Sequence, residues 1–256
     1  MVLEPEKYEY FDLSIPLKFN GVQPNAFGVE PATSAACEYG DLTGDTRRGG
    51  SCNFEKVTLI PHCNGTHTEC VGHITNERIS VRDCLTDVIV RAMLVKVEPV
   101  RANGCDESYA VEFGDNDLVI TRGSLESKLG NSEALIIRTL PNDESKLSRV
   151  YKDVIPPYFT NDAMSLLVER NVKHLLVDLP SIDRIYDEGK LSNHRIFWQV
   201  EPGSFVTNAS TRLHSTVTEL IYVPNHVEDG EYLLNLQIAP VEADAAPSRP
   251  ILFRLK

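Results

Sequence analysis

Ala134-Leu135-Ile136-Ile137 begins the part of the sequence that is most informative about the fold. This short apolar run predicts a buried strand. Thr160 or Asn161 can then cap an amphipathic helix that continues to Asn171, and residues 172–177 form a second apolar run. Two strands joined by a helix normally lie parallel, with a right-handed crossover. The stretch therefore predicts a β-α-β unit.

The flanking sequence favours strands over helices. Period-two and β-branched patterns predict strands in the first half, with only a short helical turn near residues 80–85. The further predicted elements are strands at 55–61, 88–97, 216–223, 232–238 and 251–255 and a helix at 190–198. Internal repeats and linker-like runs are absent from the sequence. We expect a strand-rich mixed α/β (α+β) fold in which residues 1–256 form one compact domain.

Composition and charge exclude several classes of function. The chain has 25 Lys and Arg against 37 Asp and Glu, a net charge of −12, so a broad surface for nucleic acid is not expected. Residues 1–10 are acidic and aromatic rather than signal-like, and no apolar run approaches the roughly 20 residues of a membrane span. We expect a cytoplasmic protein with no membrane partner, whose six cysteines are reduced thiols.

Side chains that ligate metals or move protons are concentrated in residues 62–73. They are His62, Cys63, His67, Glu69, Cys70 and His73. If the segment is extended, Cys63, Gly65, His67, Glu69, Val71 and His73 share one face. We expect His67 and Glu69 to bind a divalent metal. Cys63 is either a third ligand or a small buried hydrophobe, and Cys70 is expected to face away and pack.

The loop at residues 177–183 is expected near the same site. It follows the second strand of the predicted β-α-β unit, and ligands of open α/β sheets collect at the carboxyl ends of the strands.

These residues resemble the cyclase family of metal-dependent hydrolases, which includes bacterial kynurenine formamidase and isatin hydrolase. The family signature is H-x-G-T-H-x-D-x-P-x-H, and Gly65-Thr66-His67 and His73 match it at the correct spacing. Other similar segments follow in the expected order: Phe11-Asp12-Leu13-Ser14, Arg138-Thr139, Val177-Asp178, Pro180-Ser181-Ile182-Asp183, His194 and Pro247-Ser248-Arg249-Pro250. The resemblance implies the swivelling β/β/α fold of kynurenine formamidase and a homodimer or larger homo-oligomer.

The resemblance also implies roles for individual residues. His67 and Glu69 would be metal ligands, and His73 would handle protons beside the metal. His194 looks like the downstream histidine ligand of the family. Glu219 looks like the late glutamate ligand, although an alignment that places Thr218 there is equally good.

Three positions depart from the family signature. Cys63 replaces its first histidine, Glu69 its aspartate and Val71 its proline. A cysteine ligand would favour Zn²⁺, with Mn²⁺ as the alternative. Alternatively, a one-residue bulge could turn His62 inward and restore an imidazole.

The hypothesis from sequence is a metal-dependent hydrolase that cleaves an amide-type C–N bond, in an N-formyl amide, lactam or cyclic amide, with His73 as the proton carrier. An anionic substrate is not expected unless Arg138 or Arg184 reaches the site. Two alternatives remain. One is an enzyme in which Cys63 is a nucleophile activated by His62 or His67. The other is a non-catalytic metal- or ligand-binding protein that kept the fold.

Overall fold

The computed structural model describes residues 8–255 and contains more strand than helix. Its strands are β1 (Tyr8–Asp12), β2 (Asn25–Ala26), β3 (Thr33–Ala36), β4 (Glu38–Tyr39), β5 (Leu42–Thr43), β6 (Glu55–Thr58), β7 (His67–Glu69), β8 (Val90–Val97), β9 (Val100–Arg101), β10 (Leu118–Ile120), β11 (Ala134–Thr139), β12 (Val150–Tyr151), β13 (Tyr158–Phe159), β14 (His174–Val177), β15 (Thr216–Glu219), β16 (Gly230–Asn235), β17 (Ala245–Pro247) and β18 (Ile251–Leu255). Its helices are α1 (Pro61–Asn64), α2 (Val81–Cys84), α3 (Arg122–Glu126), α4 (Asn161–Glu169) and α5 (Ser192–Trp198). The expectation about a signal segment rests partly on residues 1–7, which lie outside the described range.

Nine strands form the main sheet, in the order β1-β18-β16-β8-β11-β14-β15-β7-β17. Strands β8, β11, β14 and β15 run parallel to one another, and the other pairings of this sheet are antiparallel. Ala134 of β11 lies opposite His174 of β14, and α4 lies between these two strands in the chain. The predicted β-α-β unit and the mixed α/β class are therefore confirmed.

Helix α4 forms where the sequence supplies both a cap and an apolar face. The Thr160 side chain accepts a hydrogen bond from the backbone N–H of Ala163, as expected of an N-cap. Four of its residues are buried: Ala163, Met164, Leu166 and Leu167. The helix ends at Glu169, two residues before the predicted end, and Asn171 takes a left-handed conformation with φ of 60°.

The two faces of the sheet bury two separate hydrophobic cores. Alternate side chains of β11 point to opposite faces, so Leu135 and Ile137 pack on the side of α4 and α5, while Ala134 and Ile136 pack on the other side. Both faces of these parallel strands are covered, which explains their nearly continuous apolar sequences.

The carboxyl ends of β11, β14 and β15 lie along one edge of the sheet, at Thr139, Val177 and Glu219. The short strand β7 runs antiparallel beside β15 at this edge. Residues 62–73 are thereby brought to the place where open α/β sheets bind ligands. Among residues 8–255, no helix is both long and apolar enough to cross a bilayer.

Candidate metal centre

Strand pairing brings His67 and Glu219 together. The two residues lie directly opposite each other in the antiparallel pair of β7 and β15, and His67 Nε2 is 3.5 Å from Glu219 Oε2. Thr68 and Thr218 form the next pair, with their hydroxyl oxygens 2.8 Å apart. Since successive side chains alternate faces, Thr218 points away from the side chains of His67 and Glu219. Glu219, rather than Thr218, faces the candidate ligands.

The imidazole of His67 has a hydrogen-bond partner at one ring nitrogen and none at the other among the described residues. Its Nδ1 lies 3.0 Å from the Gly65 carbonyl oxygen, to which its N–H can donate a hydrogen bond. Its Nε2 is buried and has no hydrogen-bond partner among the described residues. A histidine that ligates a metal through one nitrogen commonly donates from the other to a carbonyl or carboxylate, so this arrangement fits a cation at Nε2.

His194 reaches the site from α5 and is oriented by Asp183. The Asp183 carboxylate lies 2.6 Å from His194 Nδ1 and also accepts hydrogen bonds from the Asn193 backbone N–H and the Tyr109 hydroxyl. This leaves His194 Nε2 facing Glu69, at 2.9 Å from Oε1. Burial opposes the charged imidazole, but Glu69 and Asp183 outweigh it and raise the pKa of His194 well above its usual value.

Glu69 joins two groups of candidate ligands. Glu69, His194 and Glu219 form a buried group whose ligand atoms lie within 4.8 Å of one another, and His62, Glu69 and His73 form a second, partly exposed group. His67 belongs to neither group and lies beside the buried one, with its Nε2 3.5 Å from Glu219 Oε2. The Glu69 carboxyl is fully buried, and its Oε2 has no hydrogen bond among the described residues. Burial raises the pKa of Glu69, but the neighbouring histidines reverse this effect and hold it well below the usual value. Glu69 is thus a buried carboxylate that requires positive charge around it.

The exposed side of the site consists of His62, His73 and Asp244. His62 Nδ1 lies 3.0 Å from Glu69 Oε2, outside hydrogen-bond geometry, and its Nε2 lies 2.8 Å from Asp244 Oδ2. His73 Nδ1 is 3.5 Å from the same Asp244 oxygen, and the two imidazole centroids are 4.2 Å apart. Burial lowers the pKa of His62, but Asp244 and Glu69 outweigh it and raise it to about 10. The site therefore opens to solvent past these three side chains.

The extended conformation expected for residues 62–73 holds only for His67–Glu69. Pro61 begins the helical turn α1, and residues 71–74 form a 3-10 turn. His62 faces inward because of the α1 turn, and the alternative of a β-bulge was wrong. Val71 packs in the core on the helical side of the sheet rather than at the site, which also contradicts the shared face expected for this segment.

The two cysteines of this segment are buried in different surroundings. Burial and the charge of Glu219 raise the pKa of the Cys63 thiol to about 11, and Cys63 belongs to neither ligand group. Such a thiol is not poised as a nucleophile, which argues against the alternative of cysteine catalysis. Cys70 packs against Val81, Cys84 and Ala246, in agreement with the packing role predicted for it. All six cysteines carry free thiols.

The two arginines considered for the site are held elsewhere. Arg138 donates to the carbonyls of Pro224 and Val227 and pairs with Asp229. Arg184 pairs with Asp117 at 2.8 Å. Neither guanidinium therefore supplies positive charge to the candidate ligands.

Two carboxylates at the site were missed by the sequence analysis. Asp183 had been expected only near the site, within the loop of residues 177–183, and its role as the partner of His194 was not foreseen. Asp244 was not considered. It directly precedes β17, whose Ala245 lies opposite Glu69, so the resemblance of residues 247–250 to the family could have indicated that this part of the chain returns to the site.

Comparisons with known proteins show which family the chain resembles. Residues 11–184 match the family model described as "Putative cyclase". The chain is 26% identical to kynurenine formamidase of Bacillus cytotoxicus over 245 residues, covering 95% of this chain and 97% of that protein. It is 29% identical to kynurenine formamidase of Bacillus cereus over 213 residues, covering 83% and 85% of the two chains.

Solved structures share the fold at low identity. A structure described as a potential metal-dependent hydrolase with cyclase activity gives a TM-score of 0.63 at 15% identity, over 96% of this chain and 99% of that chain. Isatin hydrolase A from Labrenzia aggregata gives a TM-score of 0.62 at 11% identity, over 98% and 96% of the two chains. The expected fold type, that of kynurenine formamidase, is confirmed by these likenesses.

Proposed function

The chain belongs to the cyclase family, and from this premise we propose that it is a metal-dependent hydrolase of amide-type C–N bonds. The family model covers more than half of the chain. The similar proteins named kynurenine formamidase and isatin hydrolase are enzymes that act on small molecules. N-formyl amides, lactams and cyclic amides are the substrate classes we propose for this chain.

The observation that supports the proposal is that Glu69, His194 and Glu219, from three separate segments, form a buried ligand group, and that His67 lies beside it with Nε2 3.5 Å from Glu219 Oε2. His67 and Glu69 come from β7, His194 from α5 and Glu219 from β15. Unpartnered His67 Nε2 and Glu69 Oε2 are buried among them. Imidazole and carboxylate donors in this combination fit a divalent cation such as Zn²⁺ or Mn²⁺. We assign these four residues as ligands, and His62 rather than Cys63 as the additional one.

A bound divalent cation would polarise the substrate carbonyl and lower the pKa of a water molecule to about 7. The chain's own residues prepare the site for this chemistry. Asp183 fixes the tautomer of His194 and keeps its Nε2 directed inward. The Gly65 carbonyl does the same for His67 by accepting a hydrogen bond from its Nδ1–H. Glu69 is shared by the buried and exposed groups, so the donor set can accommodate one or two ions.

His73 is the residue we assign to proton transfer. It is partly exposed, and its Nε2 lies 3.9 Å from Glu69 Oε2, on the inner side of the ring. Its Nδ1 faces Asp244 Oδ2. Each ring nitrogen of His73 thus faces a carboxylate, and we assign Nε2, the nitrogen nearer the candidate ligands, to take up and release the proton. The proton can then pass to the amine nitrogen of the departing group as the C–N bond breaks.

Charge near the site favours an uncharged substrate. The described residues around the ligands are carboxylates and imidazoles, and Arg138 and Arg184 are paired elsewhere. Hydrolysis adds the oxygen of water to the carbonyl carbon and a proton to nitrogen, so it forms a carboxylate and an amine.

We also propose the metal, the cellular compartment and the oligomeric state of the protein. Zn²⁺ is the metal we favour, because two or more imidazoles together with carboxylates are common zinc ligands. We propose that residues 1–256 form one domain that acts in the cytoplasm as a homodimer or larger homo-oligomer, as the family resemblance implies. We propose neither nucleic acid nor membrane as a partner.

The test is a hydrolysis screen with formamides, lactams and imides, on metal-loaded protein and after treatment with a chelator. We expect at least one class to be cleaved, chelation to abolish the activity and added Zn²⁺ to restore it. Glu69→Gln should be inactive, whereas Glu112→Gln, which changes a glutamate outside the site, should be fully active. Metal binding without hydrolysis of any class would favour the non-catalytic alternative. Activity that survives chelation but is lost with iodoacetamide would favour the cysteine nucleophile.

A further inference from the structure

A cationic cleft lies at the opposite edge of the sheet from the candidate metal centre. It has a volume of about 570 Å³ and is lined by the segments that precede the parallel strands. Residues 131–133 precede β11, residues 170–173 precede β14 and residues 211–215 precede β15, while Arg91 lies at the start of β8. The cleft is therefore at the amino ends of the strands whose carboxyl ends lead to the candidate ligands.

Positive charge dominates the cleft, although the chain as a whole carries a net charge of −12. Arg91, Arg170, Lys173 and Arg212 line it, and Glu133 is the single carboxylate among the described lining residues. Asp87 pairs with Lys173 from beside the cleft and also contacts His174. The positive charges thus outnumber the negative ones four to two. A positive concavity in an acidic protein is a local feature that attracts anions.

Arg212 is the most informative of these residues, because its positive charge is partly buried without a carboxylate partner within residues 8–255. Its Nη1 donates to the Phe197 carbonyl at 2.8 Å and its Nη2 to the Val172 carbonyl at 2.5 Å. The guanidinium also lies 4.9 Å from the centroid of the Phe197 ring. Burial lowers the pKa of Arg212 to about 10, so the group remains charged at neutral pH.

The contacts of Arg212 leave part of its guanidinium available to a ligand. Two of its five N–H donors are used on the carbonyls, which fix the position of the group. Arg170 forms no ion pair with the part of the chain that the structure describes. Hydroxyl and amide groups surround these cations, from Asn131, Ser132 and Thr211. Guanidinium, ammonium and hydroxyl donors in one concavity are the groups that bind phosphate and carboxylate oxygens.

We propose that this cleft binds a small, multiply charged oxyanion at a site separate from the metal centre. The volume lies within the range of small-molecule sites, roughly 300 to 1,000 Å³. The negative charge of the rest of the surface opposes an extended polyanion, which would need a broad basic face. A phosphate-bearing metabolite and a polycarboxylate metabolite both offer the negatively charged oxygens that these donors can bind.

The test is isothermal titration calorimetry of the whole protein at low, constant ionic strength, with inorganic phosphate and succinate as probes. Both are weak chelators, so neither removes metal from the other site. We expect at least one probe to bind. Arg170→Ala and Arg212→Lys should weaken this binding by about tenfold each, as expected for loss of a charged hydrogen bond. Tighter binding of phosphate would identify a phosphoryl ligand, and tighter binding of succinate a carboxylate ligand; both support the proposal.

Arg101→Ala is the matched control, because Arg101 is an exposed arginine on β9, outside the cleft. The affinity of the Arg101→Ala variant for the probes should equal that of the wild type. Arg170 is exposed at the end of α4 and belongs to neither hydrophobic core, so its replacement should leave folding and amide hydrolysis intact. The absence of binding for both probes would overturn the proposal. Binding that Arg170→Ala leaves unchanged, or that Arg101→Ala weakens equally, would overturn it as well.

Discussion

His194 and Glu69, 125 residues apart in the chain, meet with His194 Nε2 at 2.9 Å from Glu69 Oε1. One side chain comes from α5 and the other from β7, so the contact exists only when the sheet and its helical layer have assembled. Asp183 holds the other ring nitrogen of His194 at 2.6 Å. The proposed metal site depends on this chain of contacts from Asp183 through His194 to Glu69.

Removing the orienting carboxylate should weaken metal binding without unfolding the protein. In Asp183→Asn, the amide can still contact His194 Nδ1 but no longer selects the tautomer that presents Nε2 to the metal. We expect metal affinity to fall by about 10- to 100-fold, the usual effect of losing such a partner. Competition with a chromogenic chelator measures this affinity. Asp115→Asn, which changes an exposed aspartate, is the control; an equal loss in that variant would contradict the assigned role.

His62 and Cys63 should differ in their effect on metal content. His62 belongs to the exposed ligand group, whereas Cys63 belongs to neither group. We therefore expect His62→Ala to lower metal content or weaken its retention on dialysis, and Cys63→Ala to retain the wild-type content. Elemental analysis after dialysis distinguishes the two variants. The reverse result would mean that the thiol takes the place of the family's first histidine.

Metal should stabilise the folded protein through the buried ligands. Because the ligands converge only in the folded state, a cation present at about 100 times its Kd should add about 2.7 kcal/mol to the free energy of unfolding. We expect chelation to lower the Tm of the wild type and to leave that of His67→Ala nearly unchanged. Thermal unfolding followed by circular dichroism measures both. An equal decrease in the two proteins would show that the chelator acts elsewhere.

The ion pair of Asp117 and Arg184 should make stability depend on pH in the acid range. Burial raises the pKa of Asp117, but hydrogen bonds from Arg184 and Tyr158 outweigh it, so the pKa in the folded state is lowered. The resulting stability is fully present above the unfolded pKa of about 3.9 and is lost as the pH falls through the lower folded value. Asp117→Asn should therefore be less stable than the wild type at neutral pH, and this difference should shrink in acid.

Urea unfolding of both proteins at neutral pH and at about pH 3 measures this dependence. Asp115→Asn serves as the control, since its side chain is exposed. A constant difference between wild type and Asp117→Asn across this range would contradict the assigned pair. The pair also holds Arg184, the residue next to Asp183. The same variant therefore tests whether this ion pair stabilises the loop of residues 177–183.

The main elements of the fold could be predicted because their signals are local. The apolar runs before and after α4 and the Thr160 cap are visible in the sequence, and each was found where it was expected. The end of α4 was misplaced by two residues because Asn171 adopts a left-handed conformation that ends the helix, and the apolar pattern does not reveal this.

The site could be predicted only where the chain is extended. His67 and Glu69 were placed on one face by the alternation of side chains, and both lie on the single strand β7. Asp244 contacts His62 across 182 residues of sequence, and no local pattern reports such a contact. The inward turn of His62 depends on the helical turn begun by Pro61, which interrupts the period-two pattern. Contacts between distant segments and the geometry of short turns therefore could not be predicted from the sequence.

The metal content of the purified protein is the decisive test of the proposed metal centre. His67 is buried with an unpartnered Nε2 among the candidate ligands, whereas His226 is exposed and its ring packs near Phe11. Elemental analysis should find a divalent metal in the wild type and in His226→Ala, and little or none in His67→Ala. Equal metal content in the two variants would show that His67 does not bind the metal.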